Sequence, residues 1–160
     1  MNKVIIVGGG AAGMLCSIIA ARNGCEVFLF EKNEKLGKKL YITGKGRCNV
    51  TNNCEVEELL RAVMTNSKFL YSAFYTFNSQ DMMALLEEAG VPLKTERGNR
   101  VFPESDRSSD IIRGLERLMK KYGVHVRFRS EVREILTQDG AAVGVSLADG
   151  EIKRADAVVV

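Results

Sequence analysis

The opening run Lys3-Val4-Ile5-Ile6-Val7, cut off by Gly8-Gly9-Gly10, constrains the fold more than any other stretch of the chain. It is β-branched and almost wholly apolar, the composition of a central parallel strand covered on both faces. Gly8-x-Gly10-x-x-Gly13 follows without a gap. In a strand–turn–helix of this kind Gly8 makes the tight turn, Gly10 lets the backbone approach a pyrophosphate, and Gly13 lets the helix pack close to the strand. N–H groups left unpaired at the helix start, together with its partial positive charge, then bind phosphates. Ala12, Leu15, Cys16 and Ile19 recur at helical spacing and predict the inward face, and Gly24 is the C′ glycine that ends the helix. Glu26-Val27-Phe28-Leu29-Phe30 predicts a second strand, and Glu31 at its tip lies eighteen positions beyond Gly13. An acid at that place accepts hydrogen bonds from a ribose diol. Strand, turn, helix, strand and acid together predict a dinucleotide site, against the alternative of a glycine turn of purely structural use.

The rest of the composition narrows the function classes. At 160 residues the chain can bury roughly 70% of its unfolded surface, and it reads as one domain, residues 1–160, without repeats. A charged fraction of 27% beside 46% hydrophobic residues is that of a globular protein, and two prolines leave little room for disordered linkers. The net charge of +3, from 23 Lys and Arg against 20 acids, suits an anionic cofactor and argues against a nucleic-acid partner. Its densest basic stretch, Lys32 to Arg47, either serves phosphates or is a solvated loop. No apolar run is long enough for a membrane span and the start is no signal peptide, so a cytoplasmic protein is expected. Cys16, Cys25, Cys48 and Cys54 contain no CxxC pair and His125 stands alone, so neither a zinc site nor a structural disulfide is expected. Cys16 and Cys25 read as small buried hydrophobes.

Asn33 to Asn53, rich in Gly, Lys and Asn, predicts a long functional loop with a short helix near Leu36–Leu40. Thr43-Gly44-Lys45-Gly46 is not a P-loop, because Gly46 stands where Ser or Thr would hold magnesium. Helical segments are predicted over Glu55–Met64 and Lys68–Phe77, the second carrying an aromatic stripe (Phe69, Tyr71, Phe74, Tyr75, Phe77) read as core. Ser79 is the expected N-cap of a helix with Met82, Leu85, Leu86 and Ala89 inward, stopped by Gly90 and Pro92. Extended pieces follow at Leu93–Thr95 and Arg100–Phe102. A helix over Asp106–Tyr122 turns Ile111, Leu115, Leu118 and Tyr122 inward, capped by Ser108 or Asp106. It crosses to a third parallel strand, Val124–Arg129. Glu131–Leu136, Ala142–Leu147 and Glu151–Lys153 then alternate across Asp139-Gly140 and Asp149-Gly150, an antiparallel meander. Ala155 to Val160 begins a further apolar strand.

A meander in place of a helical crossover associates the chain, by analogy of fold, with Rossmann-like FAD-binding domains of glutathione-reductase type, an α/β class with a parallel sheet and an antiparallel β-meander. With Gly37-Lys38-Lys39-Leu40, Thr43-Gly44-Lys45-Gly46-Arg47-Cys48-Asn49-Val50-Thr51-Asn52 and Arg100-Val101-Phe102-Pro103, the chain resembles the N-terminal portion of the bacterial NAD(P)/FAD-dependent oxidoreductases. Their aminoacetone-oxidase-like and bile-acid-intermediate-reductase-like members are included in the resemblance.

The resemblance implies FAD, with Gly8, Gly10, Ala12 and Gly13 at the pyrophosphate, Glu31 on the adenosine ribose and Val132 holding adenine by its backbone. Lys32 joins this cofactor set, and Lys38, Lys39, Gly44, Arg47 and Cys48 would line the cofactor nearer the flavin. Lys38 stands where relatives commonly carry Arg, which keeps the charge and loses the planar fork. Relatives continue into a closing turn and a substrate domain, so the chain is expected to be the N-terminal part of a longer flavoprotein. The function expected is redox chemistry on a small molecule, with NAD(P)H as a candidate electron donor. An NAD-dependent dehydrogenase module and an FAD-dependent RNA-modifying factor are the alternatives. No catalytic acid or base is named. Cys48 reads either as a redox thiol whose pKa Arg47 and Lys45 lower, or as a loop cysteine packed in place.

Overall fold

A computed structural model describes all residues from Met1 to Val160. In chain order its strands and helices are β1 (Lys3–Val7), α1 (Ala11–Arg22), β2 (Glu26–Phe30), β3 (Thr51–Asn52), α2 (Val56–Ala62), α3 (Tyr71–Thr76) and α4 (Ser79–Glu88). They continue as β4 (Leu93–Glu96), β5 (Arg100–Pro103), α5 (Ser108–Lys121), β6 (His125–Arg127), β7 (Val132–Gln138), β8 (Ala141–Leu147), β9 (Ile152–Arg154) and β10 (Ala157–Val159). Contacts divide the chain into two units, Met1–Leu40 with Leu115–Val160, and Tyr41–Gly114.

The first unit is the expected Rossmann-type layer with its meander. Its parallel sheet has the order β10-β1-β2-β6, and Ile5 at its centre is flanked by Phe28 of β2 and Val158 of β10. The apolar composition of β1 answers to that position: Ile5 and Ile6 are each 1% exposed. Complete burial of such a side chain is worth about 1.5–3 kcal/mol. The meander β7-β8-β9 packs on this sheet through Ile5, Phe30, Val145 and Leu147, with Val132, Ala155 and Val158 around them.

The helix α1 turns a different face inward from the one its spacing predicts. Met14, Ser17 and Ile18 are buried, while Leu15, Cys16 and Ile19 are half-buried and Ala12 is exposed. This helix is apolar on nearly all sides, so periodicity had no contrast from which to choose a face. Buried Ser17 is satisfied by donating its hydroxyl to the Met14 carbonyl at 2.7 Å. Cys25 is likewise half-buried. Gly24 does end the helix, its N–H donating to the Ala21 carbonyl at 3.0 Å.

The second unit is built on the antiparallel sheet β3-β5-β4. The short helical turn of the long loop falls at Leu40–Gly46, as 3₁₀ structure kinked at Thr43, Gly44 and Lys45, rather than at Leu36–Leu40. Asn78, and not Ser79, caps α4: its side chain accepts from the N–H groups of Gln80 and Asp81, and Asp81 answers the Asn78 N–H, a reciprocal capping box. Ser79 is instead buried, with its hydroxyl 2.9 Å from that of Thr51 on β3. The aromatic stripe is not core. Phe69, Tyr71 and Tyr75 are 80%, 56% and 48% exposed, because the segment breaks into a 3₁₀ turn at Ser67–Leu70 and the two-turn α3, too short to present one continuous face.

Candidate functional site

The glycine turn between β1 and α1 performs the steric tasks that its spacing suggests. Gly8 adopts a φ of 97°, a left-handed conformation that disfavours any side chain, and its N–H donates to the Phe30 carbonyl at 2.8 Å. A Cβ on Gly13 would stand 2.0 Å from the Gly8 carbonyl oxygen, so strand and helix meet there at backbone distance. A Cβ on Gly10 would meet nothing within 4 Å: the glycine borders open space. No side chain caps the start of α1 and no acid lies in its first turn. Its leading N–H groups and the positive end of its dipole are therefore offered to an anion. These features fit a pyrophosphate.

Glu31 stands beside this turn at the tip of β2, 7% exposed. One carboxylate oxygen accepts the Gly9 N–H at 2.7 Å. The other accepts the backbone N–H of Asn33 at 2.8 Å and its amide Nδ2 at 2.6 Å. Burial works against the charge, but these donors, with Lys32 nearby, outweigh it and hold the Glu31 carboxyl below the ordinary glutamate range. Gly9 is fixed on its other side as well, its carbonyl accepting the Gly37 N–H at 2.8 Å. A Cβ on Gly9 would come within 2.2 Å of Leu36 Cδ2 and 3.2 Å of Glu31 Oε2. Sequence reasoning passed over Gly9, Asn33 and Leu36. The tripled glycine was a signal for the first, whereas nothing local marks the other two.

Next to Glu31 opens a cleft of about 520 Å³, with Lys32, Asn33, Arg129, Ser130, Glu131 and Ala148 on its walls. Val132 follows Glu131 directly and its side chain packs into the core, so what it presents to a ligand is backbone. Lys38 is tied to the same place, its Nζ 3.1 Å from Asn33 Oδ1 and 3.8 Å from Glu34. Lys32 and Lys39 are exposed. The first unit thus brings Gly8, Gly10, Gly13, Glu31 and Lys38 into one connected set.

In the second unit, the Thr43–Asn49 loop is held by a four-charge cluster. Arg47 donates from Nε to Asp106 Oδ1 at 2.7 Å and from Nη2 to Glu96 Oε1 at 2.5 Å, while its guanidinium lies 4.1 Å from the centre of the Phe102 ring. Lys94 donates to Asp106 Oδ2 at 2.7 Å. Hydrogen bonds and charge from Arg47 and Lys94 hold the carboxyls of Glu96 and Asp106 below their ordinary range. The motifs TGKGRCN and RVFP are therefore two sides of one clamp. Lys45 and Cys48 take left-handed φ values of 56° and 61° within this loop. Cys48 is 2% exposed, and burial pushes its thiol up despite a hydrogen bond with Thr43. The expected lowering by Arg47 and Lys45 is absent, since Arg47 is committed to Glu96 and Asp106, and a packed loop cysteine is what the structure shows.

Comparison with known proteins adds family and fold. The HI0933-like protein Rossmann domain matches residues 2–160. The 3-dehydro-bile acid delta(4,6)-reductase of Clostridium scindens is 30% identical over 161 aligned residues, which is 99% of this chain and 38% of that protein. The ribosomal RNA dihydrouridine synthase of Escherichia coli is 34% identical over 131 residues, 82% of this chain and 32% of the synthase. The chain thus spans about a third of the length of these relatives. Among solved structures, 3-ketosteroid-delta4-(5alpha)-dehydrogenase from Rhodococcus jostii RHA1 superposes with a TM-score of 0.74 at 17% identity, covering 99% of this chain and 45% of that one.

Proposed function

This chain belongs to the HI0933-like Rossmann family, and from that premise we propose that residues 1–160 form the FAD-binding part of a cytoplasmic flavin-dependent oxidoreductase. The observation that carries the proposal is the placement of the uncapped start of α1, open at Gly10, beside the buried Glu31 carboxylate on the neighbouring strand. That pair offers an anion site and a diol acceptor, the two polar demands of an adenosine pyrophosphate. In this reading Gly8, Gly10, Ala12 and Gly13 meet the pyrophosphate, Glu31 the ribose, and the Val132 backbone the adenine. Lys32 and Lys38 supply positive charge at the same end. Lys39, Gly44, Arg47 and Cys48 are assigned to the cofactor by family resemblance, and Arg47 acts there by holding its loop. When bound, FAD supplies the hydride or electron transfer, and the protein supplies binding and orientation. Four free cysteines support the cytoplasmic placement. No helix is long and apolar enough to cross a membrane.

Delta(4,6)-reductase and dihydrouridine synthase are both names for adding hydrogen across a carbon–carbon double bond. The substrate class proposed is accordingly a small molecule with such a bond, with NAD(P)H as electron donor. A second reading, reduction of a base in RNA, is favoured by the synthase relatives alone, since the net charge of +3 gives no strong basic footprint. Two measurements test these readings. Flavin absorbance retained by the purified protein after gel filtration with FAD supports the cofactor, and preferential retention of NAD would support the dehydrogenase alternative instead. Filter binding with ribosomal RNA separates the substrates: saturable, salt-sensitive retention favours RNA, and none favours the small molecule.

A further inference from the structure

Glu31 is engaged by more donors than a ribose would supply. A carboxylate offers about four acceptor sites, and three are taken by the Gly9 N–H and the backbone and side-chain N–H groups of Asn33. Asn33 in turn is anchored at both of its own oxygens. Its Oδ1 accepts from Lys38 Nζ at 3.1 Å and its carbonyl from the Arg129 N–H at 3.0 Å. We propose that Asn33 is a positioning residue for cofactor binding, its amide fixing the rotation of the Glu31 carboxylate and so the direction in which the remaining acceptor site is offered to the ribose.

This inference rests on the FAD reading above. The charged groups around the carboxylate are few: Lys32 beside it, Lys38 beyond Asn33 with its partner Glu34, and Arg129, Glu131 and Asp149 along the adjoining cleft. The glycine turn and Leu36 bring no charge. Asn33 is therefore the group whose removal most directly frees Glu31 to rotate and to bind a proton. An asparagine at this place could instead do no more than shape the turn after β2. Asp and Asn serve about equally well in that role, whereas an aspartate facing Glu31 can neither donate nor escape repulsion.

The test uses the full chain as wild type, Asn33→Ala and Asn33→Asp, with the carboxyl ¹³C signal of Glu31 followed by NMR without ligand and FAD affinity followed by titration, both across pH. Asn33→Ala is expected to weaken FAD about tenfold near neutral pH, the lower end for a hydrogen bond to a charged group. Its Glu31 is expected to titrate at higher pH than in wild type, so that affinity is lost earlier as pH falls. Asn33→Asp is expected to bind more weakly than Asn33→Ala. Wild-type affinity in the Asn33→Asp variant, or a uniform loss at every pH with the Glu31 titration unmoved, overturns the proposal while leaving FAD binding intact. Failure of the wild type itself to bind FAD overturns the cofactor reading, and this proposal with it.

Discussion

Three neighbouring glycines make separable demands, and substitution should separate them. Gly13 faces backbone that cannot move aside, Gly9 faces Leu36 and Glu31 side chains, and Gly10 faces open space. Gly10→Ala meets no steric barrier and keeps an extended φ of −79°, so it is expected to cost no more than the N-cap preference of glycine over alanine, about 0.5–1 kcal/mol. Gly9→Ala overpacks a filled site and is expected to cost about 1–3 kcal/mol, and Gly13→Ala more than Gly9→Ala. Denaturant unfolding of the three variants checks the order. Gly10→Val should still fold, yet lose FAD, because its side chain takes the space left for the pyrophosphate. A Gly10→Val protein that unfolds would make that glycine structural. The spacing was enough to mark the steric places of Gly8, Gly10 and Gly13, which are local to one turn, and the position of Glu31 past the second strand. It passed over Asn33 because an asparagine two residues past an acid has no pattern of its own, although both its backbone N–H and its amide donate to Glu31.

Among the elements, the clamp on the Thr43–Asn49 loop shows how contacts distant in sequence escape pattern reading. Arg47 and Asp106 lie fifty-nine positions apart, and the Phe102 ring of RVFP under the Arg47 guanidinium is nearly as distant in sequence, so neither contact could be read from the motifs. Periodicity likewise marked the aromatic stripe of Lys68–Phe77, but a stripe says which side chains align and not what covers them. Local signals were reliable where they carried their own geometry, as in the meander turns at Asp139-Gly140 and Asp149-Gly150. The clamp has a pH signature. Glu96 and Asp106 have folded-state carboxyls below their ordinary values. Their contribution is therefore present above the unfolded values near pH 4 and is lost as pH falls through the lower, folded ones. Arg47→Ala should lower the melting temperature at neutral pH, with the gap to wild type closing as pH is taken down through that range. A gap that stays constant with pH would mean that Arg47 works through its stacking on Phe102 rather than through the two acids.

At the scale of the whole molecule, every contact proposed for the adenosine pyrophosphate lies on the first unit, Met1–Leu40 with Leu115–Val160. That distribution predicts which half of FAD carries recognition. ADP should compete with FAD and FMN should not, a result readable by displacement in a fluorescence titration; displacement by FMN alone would move recognition to the flavin half. The central claim is narrower still: a ribose diol is held by Glu31, buried at the tip of β2 and kept ionised by the donors around it. Calorimetric titration of FAD into wild type, Glu31→Ala and Glu87→Ala tests it most directly, Glu87 being an exposed acid of α4. The account predicts saturable binding by wild type and Glu87→Ala, and a loss of about 1.5–3 kcal/mol for Glu31→Ala. Equal affinities for the two variants, or no saturable binding of FAD by the wild type, would contradict it.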